Sequence, residues 1–271
     1  MANIITVMNF KGGVGKTTIS MNLGYALSVH NKVLMVDLDP QFNLTQYLLG
    51  YRKYQSILSS NTPTVCEMFE EGNFSVPIRN TADYVVRVPG SRNLHLICSR
   101  LELYRTMQTA TNASNILQNK LSAVAGGYDV IILDCPPTMS VISEAAFFVS
   151  DYVLIPIMPE YLCTIGLPLL YQSIVEFNQR NPKQPVSILG AVINGEDGYA
   201  PEGYDAISDI TKWCTDQHIP LFQSRILYSR SYPKGARMQT PISQTSYARW
   251  ETIRNFNSFV AEFKQKAGIQ P

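Results

Sequence analysis

At 271 residues, with 45% hydrophobic and 16% charged content, the chain can bury a core without disulfide or metal staples, and no run nears the roughly 20 apolar residues of a membrane span. The net charge of +1 hides an asymmetry: from Arg225 onward eight basic residues face two acidic ones, a local +6, while the preceding 224 residues carry −5. Such a segment points to an anionic polymer or to solvated helix faces, and the five cysteines, lacking CxxC spacing, read as reduced thiols rather than a disulfide framework or zinc site.

The first strand-like run, 3–8 (NIITVM), leads straight into FKGGVGKTT at 10–18. A phosphate loop, GxxxxGK[ST], stands between a strand and a helix, and Gly15, Lys16 and Thr17 meet its second half. Phe10 stands where its first glycine belongs, and Lys11 follows. Gly12, Gly13 and Gly15 let backbone N–H groups turn toward phosphate oxygens at a helix N-terminus. Lys16 is placed for β- and γ-phosphates and the Thr17 hydroxyl for Mg2+, so the nucleotide-binding run is Lys11, Gly12, Gly13, Val14, Gly15, Lys16, Thr17 and Thr18. Residues 17–30 place Ile19, Leu23, Ala26 and Leu27 on one helical stripe. A strand at 33–36 runs into DLDPQFN, setting Asp37 and Asp39 at its end. Residues 50–92, rich in Ser, Asn, Thr and Pro, break the rhythm and read as an elaboration of the same domain. Further strands are expected at 94–97, 129–133, 152–157 and 187–193, and helices at 114–125, 140–148, 164–179, 203–217 and 246–266. Asp134 follows the 129–133 strand and precedes a Pro-Pro pair. Alternating strands and helices, with strands apolar on both faces, predict a single α/β domain over 1–271: a doubly wound, mostly parallel twisted sheet with helices on both faces and its ligand at the C-terminal strand ends.

Phosphoryl transfer to water needs charge neutralised on the γ-phosphate, a metal across two phosphates and a water held in line. Lysines, a threonine and aspartates are the side chains for that work. Four stretches, KGGVGKTT, VLMVDLDPQFNLT (33–45), YDVIILDCPPTMS (128–140) and YVLIPIMPEYLCTIGL (152–167), together resemble the deviant Walker A ATPases of the ParA and MinD group, whose loop reads KGGxGK[ST] with a signature lysine at its start. The resemblance implies a P-loop NTPase-like fold, ATP and Mg2+, and a homodimer bridged by ATP in which Lys11 reaches the partner's phosphates. It implies Lys11, Lys16 and Asp39 as the catalytic set, with Asp39 orienting the attacking water, and Thr17, Asp37, Asp39 and Asp134 around the metal; DLDP also reads as a turn cap. For adenine it points to Asn194 in GAVINGED and Pro233 in SRSYPKG, although Asn-Gly is equally a turn pair.

Within that group, ParA-type proteins bind DNA without sequence preference and MinD-type proteins lie on membranes through a C-terminal amphipathic helix. Here the last helical stretch puts Trp250, Ile253, Phe256, Val260 and Phe263 near one face and ends in polar KQKAGIQP, a stripe suited to packing on the domain. Arg225, Arg230, Lys234 and Arg237 cluster where ParA-type proteins contact DNA. The phosphate loop begins within about ten residues of Met1, leaving no helix-turn-helix ahead of it and no export signal, so non-specific DNA and a cytoplasmic, nucleoid-associated protein are expected. The resemblance further implies a slow ATPase stimulated by an adaptor of ParB type or a functional analogue, positioning a plasmid, a chromosome origin or a protein assembly such as a carboxysome. The alternative is a MinD-like membrane-associated positioning ATPase. Cys135 beside Asp134 raises an iron–sulfur reductase as a third branch, but no second suitably spaced cysteine accompanies it.

Overall fold

The computed structural model describes residues 2–71, 76–160, 163–196 and 201–270. In chain order the strands are β1 (Asn3–Val7), β2 (Val33–Asp37), β3 (Val85–Arg87), β4 (Leu94–Ile97), β5 (Val130–Asp134), β6 (Tyr152–Ile157), β7 (Ser187–Glu196) and β8 (Ile226–Leu227). The helices are α1 (Lys16–Leu27), α2 (Asn43–Ser59), α3 (Val65–Glu70), α4 (Leu103–Thr109), α5 (Ala113–Ala125), α6 (Val141–Val149), α7 (Cys163–Arg180), α8 (Pro201–Asp216), α9 (Ser231–Met238) and α10 (Trp250–Ala267). These strands form one sheet in the order β3-β4-β2-β5-β1-β6-β7-β8, parallel throughout except for β3, which runs antiparallel to β4.

Period-two alternation divides each central strand between two cores. Leu34, Val36, Ile131 and Leu133 face one cluster, closed by Phe69, Leu117, Phe147 and Phe177. Val33, Met35, Val130 and Ile132 face the other, closed by Leu23, Leu48, Phe256, Phe259 and Phe263. Every residue of β2 and β5 is therefore buried, which is why they read as unbroken apolar runs rather than alternating ones. The sheet and its two helical layers match the predicted doubly wound architecture.

The stretch 50–92 holds more regular structure than its composition suggests. Helix α2 crosses into it with a break at Gly50 (φ 70°, ψ 165°), a conformation essentially confined to glycine, and this break obscures the helical period. Helix α3 opens with a capping box in which Thr64 and Glu67 bond reciprocally, a TxxE signature that the sequence displays. Val65, Met68, Phe69 and Tyr84 join the main core, and β3 forms a sheet edge. Residues 72–75 of this stretch lie outside the described residues.

The stretch holding Pro233 forms the first turn of α9, a position where proline costs a helix little. One further expectation changes. The last helix begins at Trp250, whose side chain is 65% exposed instead of packed; the buried stripe is Phe256, Phe259, Val260, Phe263 and Ala267, which starts more than a turn later. Cys66, Cys98, Cys135 and Cys214 are buried free thiols; the Cys163 side chain lies outside the described residues. Among the described residues no helix is long and apolar enough to cross a membrane.

Candidate nucleotide site

The loop between β1 and α1 crosses the C-terminal edge of the sheet. Gly13 (φ 78°) and Gly15 (φ 88°) hold left-handed backbone, and a Cβ at Gly12 or Gly13 would meet nothing within 4 Å, so the loop's inner side is an open cradle. At Gly15 the reason for glycine is closer contact: a Cβ would lie 2.2 Å from Asn194 Nδ2. Asn194, at the β7 end, donates from that nitrogen to the Val14 carbonyl at 2.7 Å. It braces the loop backbone from behind, a role distinct from the adenine contact expected of it. Phe10, the odd letter in the motif, packs partly buried against the core.

Lys16 sits in the first turn of α1, 7% exposed, and donates to the Lys11 carbonyl at 3.1 Å. Burial lowers its pKa, while Asp134 and Asp39 pull the other way. The Lys11 side chain pairs with Glu160 at 2.6 Å, and its backbone N–H bonds Asn9 Oδ1 at 2.9 Å. Asn9 in turn donates to the Pro156 carbonyl at 2.7 Å, tying the loop entrance to β6.

The aspartates fall together because β2 and β5 are adjacent and in register, Asp37 opposite Asp134. Asp134 accepts from Thr17 Oγ1 and Ser20 Oγ, each at 2.8 Å, and burial lifts its pKa to about 6. Asp37 is fully buried, and burial raises its pKa well above the usual carboxylate value, with Asp134 adding to the rise. Its Oδ2 accepts from Thr45 N (2.8 Å) and Thr45 Oγ1 (2.7 Å), and its Oδ1 from Asp39 N (3.2 Å). These bonds make Asp37 the anchor of the DLDPQ turn and of α2, the cap role, and it does not line the cleft. Asp39 does: it is 6% exposed, accepts from Gln41 N at 2.8 Å, and has its pKa raised by burial against the opposing pull of the Gln41 N–H and Lys16.

Gly12, Gly13, Lys16, Thr17, Asp39 and Gln41, with Asn43, Tyr47 and Pro137 at the rim, line a cleft of ≈ 300 Å³. This donor set suits a polyphosphate with a divalent metal: N–H groups and a lysine for the anion, and the Thr17 hydroxyl already held on the Asp134 carboxylate for the metal. Among the described residues no three His, Cys, Asp or Glu side chains form a metal cage, so such a metal would depend on phosphate oxygens and water for most of its ligands. Sequence reasoning missed Asn9, Ser20, Thr45 and Ser99, whose hydroxyl donates to the Asp39 carbonyl at 2.8 Å. Only Thr45 carried a signal, since it closes the 33–45 motif. Cys135 is fully buried and burial pushes its thiol well up, an environment for an inert thiol.

The DNA-contact candidates lie apart, around β8 and α9. Arg225 pairs with Glu196 at 2.8 Å. Arg230 and Arg237 are exposed, and Lys234 donates to the Ser246 carbonyl at 3.2 Å. Pro233 is exposed on α9 and lines no part of the cleft.

Residues 2–187 match the protein family described as AAA domain. The sporulation initiation inhibitor protein Soj of Bacillus subtilis is 31% identical over 220 residues, covering 80% of this chain and 82% of that protein. Among solved structures, an ATP complex of Cyanothece McdA superposes with a TM-score of 0.82 at 23% identity, covering 100% of this chain and 98% of that one. A plasmid partition protein from Borrelia burgdorferi bound to AMPPNP gives 0.77 at 24%, covering 98% and 100%. The matched model, the Soj relationship over most of both chains and the lysine-led phosphate loop establish that this chain belongs to the ParA-type branch of the deviant Walker A ATPases.

Proposed function

We propose that the protein hydrolyses ATP to ADP and phosphate as a switch that pairs two copies of the chain and places them on DNA to position a cargo. The observation that carries this reading is the convergence of Lys16, Thr17 and Asp39 on one glycine-lined cleft, with the Lys11 carbonyl accepting from Lys16 Nζ. Lys16, drawn from water and pulled toward two carboxylates, is set to take β- and γ-phosphate oxygens. Asp39, on a turn clamped by Asp37, Thr45 and Ser99, presents a fixed carboxylate oxygen to orient a water for in-line attack. Thr17, whose hydroxyl already rests on the Asp134 carboxylate, and Asp134 would hold a magnesium ion, which would supply positive charge against the developing charge on the phosphates.

Lys11 exchanges its Glu160 partner for phosphates of the nucleotide on the second copy, so that ATP and dimerisation become one event. A dimer doubles the basic surface around Arg225, Arg230, Lys234 and Arg237, giving duplex affinity that falls steeply with salt. An adaptor that accelerates slow hydrolysis would release the dimer. The membrane alternative is disfavoured because the apolar face of α10 is already spent on the core through Phe256, Phe259 and Phe263.

The test is duplex DNA binding and oligomeric state with ATP, with ADP and without nucleotide. Lys16→Ala is expected to lose nucleotide binding, Lys11→Ala to bind ATP as a monomer, and Asp39→Ala to accumulate as an ATP-loaded dimer on DNA. Duplex binding indifferent to nucleotide, or a monomeric Asp39→Ala protein in excess ATP, would sink the reading.

A further inference from the structure

The C-terminal basic surface carries exposed aromatic side chains that duplex binding does not call for. Tyr228 is 58% exposed, Tyr247 91% and Trp250 65%. Each of the last two is joined to a cation: Lys234 Nζ lies 4.6 Å from the Tyr247 ring centroid, and the Arg254 guanidinium 5.8 Å from that of Trp250. Lys234 is fixed further by its bond to the Ser246 carbonyl, so the cation that steadies the Tyr247 ring is itself tethered to the neighbouring residue. Tyr247 also holds φ at 65°, a left-handed conformation that a bulky side chain avoids. The folded chain thus accepts strain at a residue whose ring gains almost no burial. Trp250, three residues on, opens a shallow depression of ≈ 450 Å³ along α10 floored by Ile253, Asn257 and Ala261 and edged by Arg254.

A steadied ring with a cation over one face and the other face open to solvent is a pairing that unpaired bases use: the open face takes a base and the cation the adjacent phosphate. In a duplex those faces are stacked away, and only phosphates, sugars and the base edges in the grooves are offered. We propose that this surface binds single-stranded nucleic acid, with Tyr247 and Trp250 as base-stacking platforms and Lys234 and Arg254 as their phosphate partners. The segment's local charge of +6 supplies the long-range attraction. The site shares Lys234 with the proposed duplex surface, but its rings are separate from that surface and its occupancy requires no nucleotide in the cleft.

The experiment is fluorescence anisotropy of the full chain with a labelled oligo(dT) of about 20 nucleotides, longer than one binding site, beside a duplex of equal length. Tyr247→Ala and Trp250→Ala are each expected to weaken oligo(dT) binding about fivefold or more while duplex binding stays within about twofold; both side chains are exposed, and unchanged melting curves would verify the fold. In a Trp213→Phe background, Trp250 emission should be quenched on adding oligo(dT). Equal losses for both ligands, no loss for either, an unquenched Trp250, or sedimentation with anionic vesicles in preference to oligo(dT) would overturn the inference. Oligo(dT) binding that persists when ATP-dependent duplex binding fails would leave this inference standing and reject the proposed function.

Discussion

Gly15→Ala tests whether the phosphate loop is braced from β7 as the geometry requires. The new Cβ would lie 2.2 Å from Asn194 Nδ2 on a backbone at φ 88°. Left-handed backbone costs alanine about 1–2 kcal/mol. Relief of the clash would move Asn194 off the Val14 carbonyl, losing a hydrogen bond worth about 1 kcal/mol. Together these destabilise the binding-competent loop by about 2–3 kcal/mol, which converts to a nucleotide affinity about 30- to 150-fold weaker. Titration with a fluorescent ATP analogue, alongside thermal melting, measures it. Gly12→Ala is the contrast: its Cβ meets no protein atom within 4 Å, so melting should stay unchanged while nucleotide affinity falls because the cradle itself is filled. A folded Gly15→Ala protein that binds within about threefold of the parent would refute the bracing argument. So would an Asn194→Ala variant with unaltered affinity, since the brace would then hold nothing.

Thr45→Val removes the hydroxyl that Asp37 and Ser99 N share, and is expected to cost about 1–3 kcal/mol of stability and to lower ATP turnover more than ATP binding, because it loosens the Asp39 turn. Parallel losses in both would place Thr45 outside the turn's support. The Asp134 carboxyl, lifted to about 6 by burial, keeps its proton in the folded protein at pH values where the unfolded chain has released it. Nucleotide-free protein should therefore lose stability as pH rises from about 4 to 6, by on the order of 3 kcal/mol, with the penalty complete above that range. Asp134→Asn should flatten that part of the melting-temperature profile, and an unchanged profile would contradict the burial argument. Phe259→Ala, in the core beneath α10, is expected to cost about 3–5 kcal/mol in denaturant unfolding; a cost below about 1 kcal/mol would mean that the helix is not packed as described.

Much of this protein is determined locally and was therefore legible in the chain alone. Unbroken apolar runs specify strands buried on both faces, alternation with helices specifies a parallel sheet, and KGGVGKTT places glycines, lysine and threonine within one turn of a helix start. Those signals act over a few residues, and the structure agrees with them at β1, β2, β5 and α1. Helix α2 was obscured because Gly50 interrupts its period, and the exposure of Trp250 was hidden because a helical stripe does not declare where burial begins.

Only the tertiary structure decided what each polar group does. Asp37 and Asp39 stand two residues apart in one motif, yet strand register sets Asp37 beside Asp134, where Thr45 consumes its carboxylate, and leaves Asp39 facing the cleft. Asn194 lies 180 residues from Val14 in the chain and meets it only because β7 closes beside the loop. Tyr247 and Trp250 became a surface through what α10 left uncovered. Composition and periodicity report which residues can leave water; partners brought from distant segments determine which donors, acceptors and ring faces remain for a ligand.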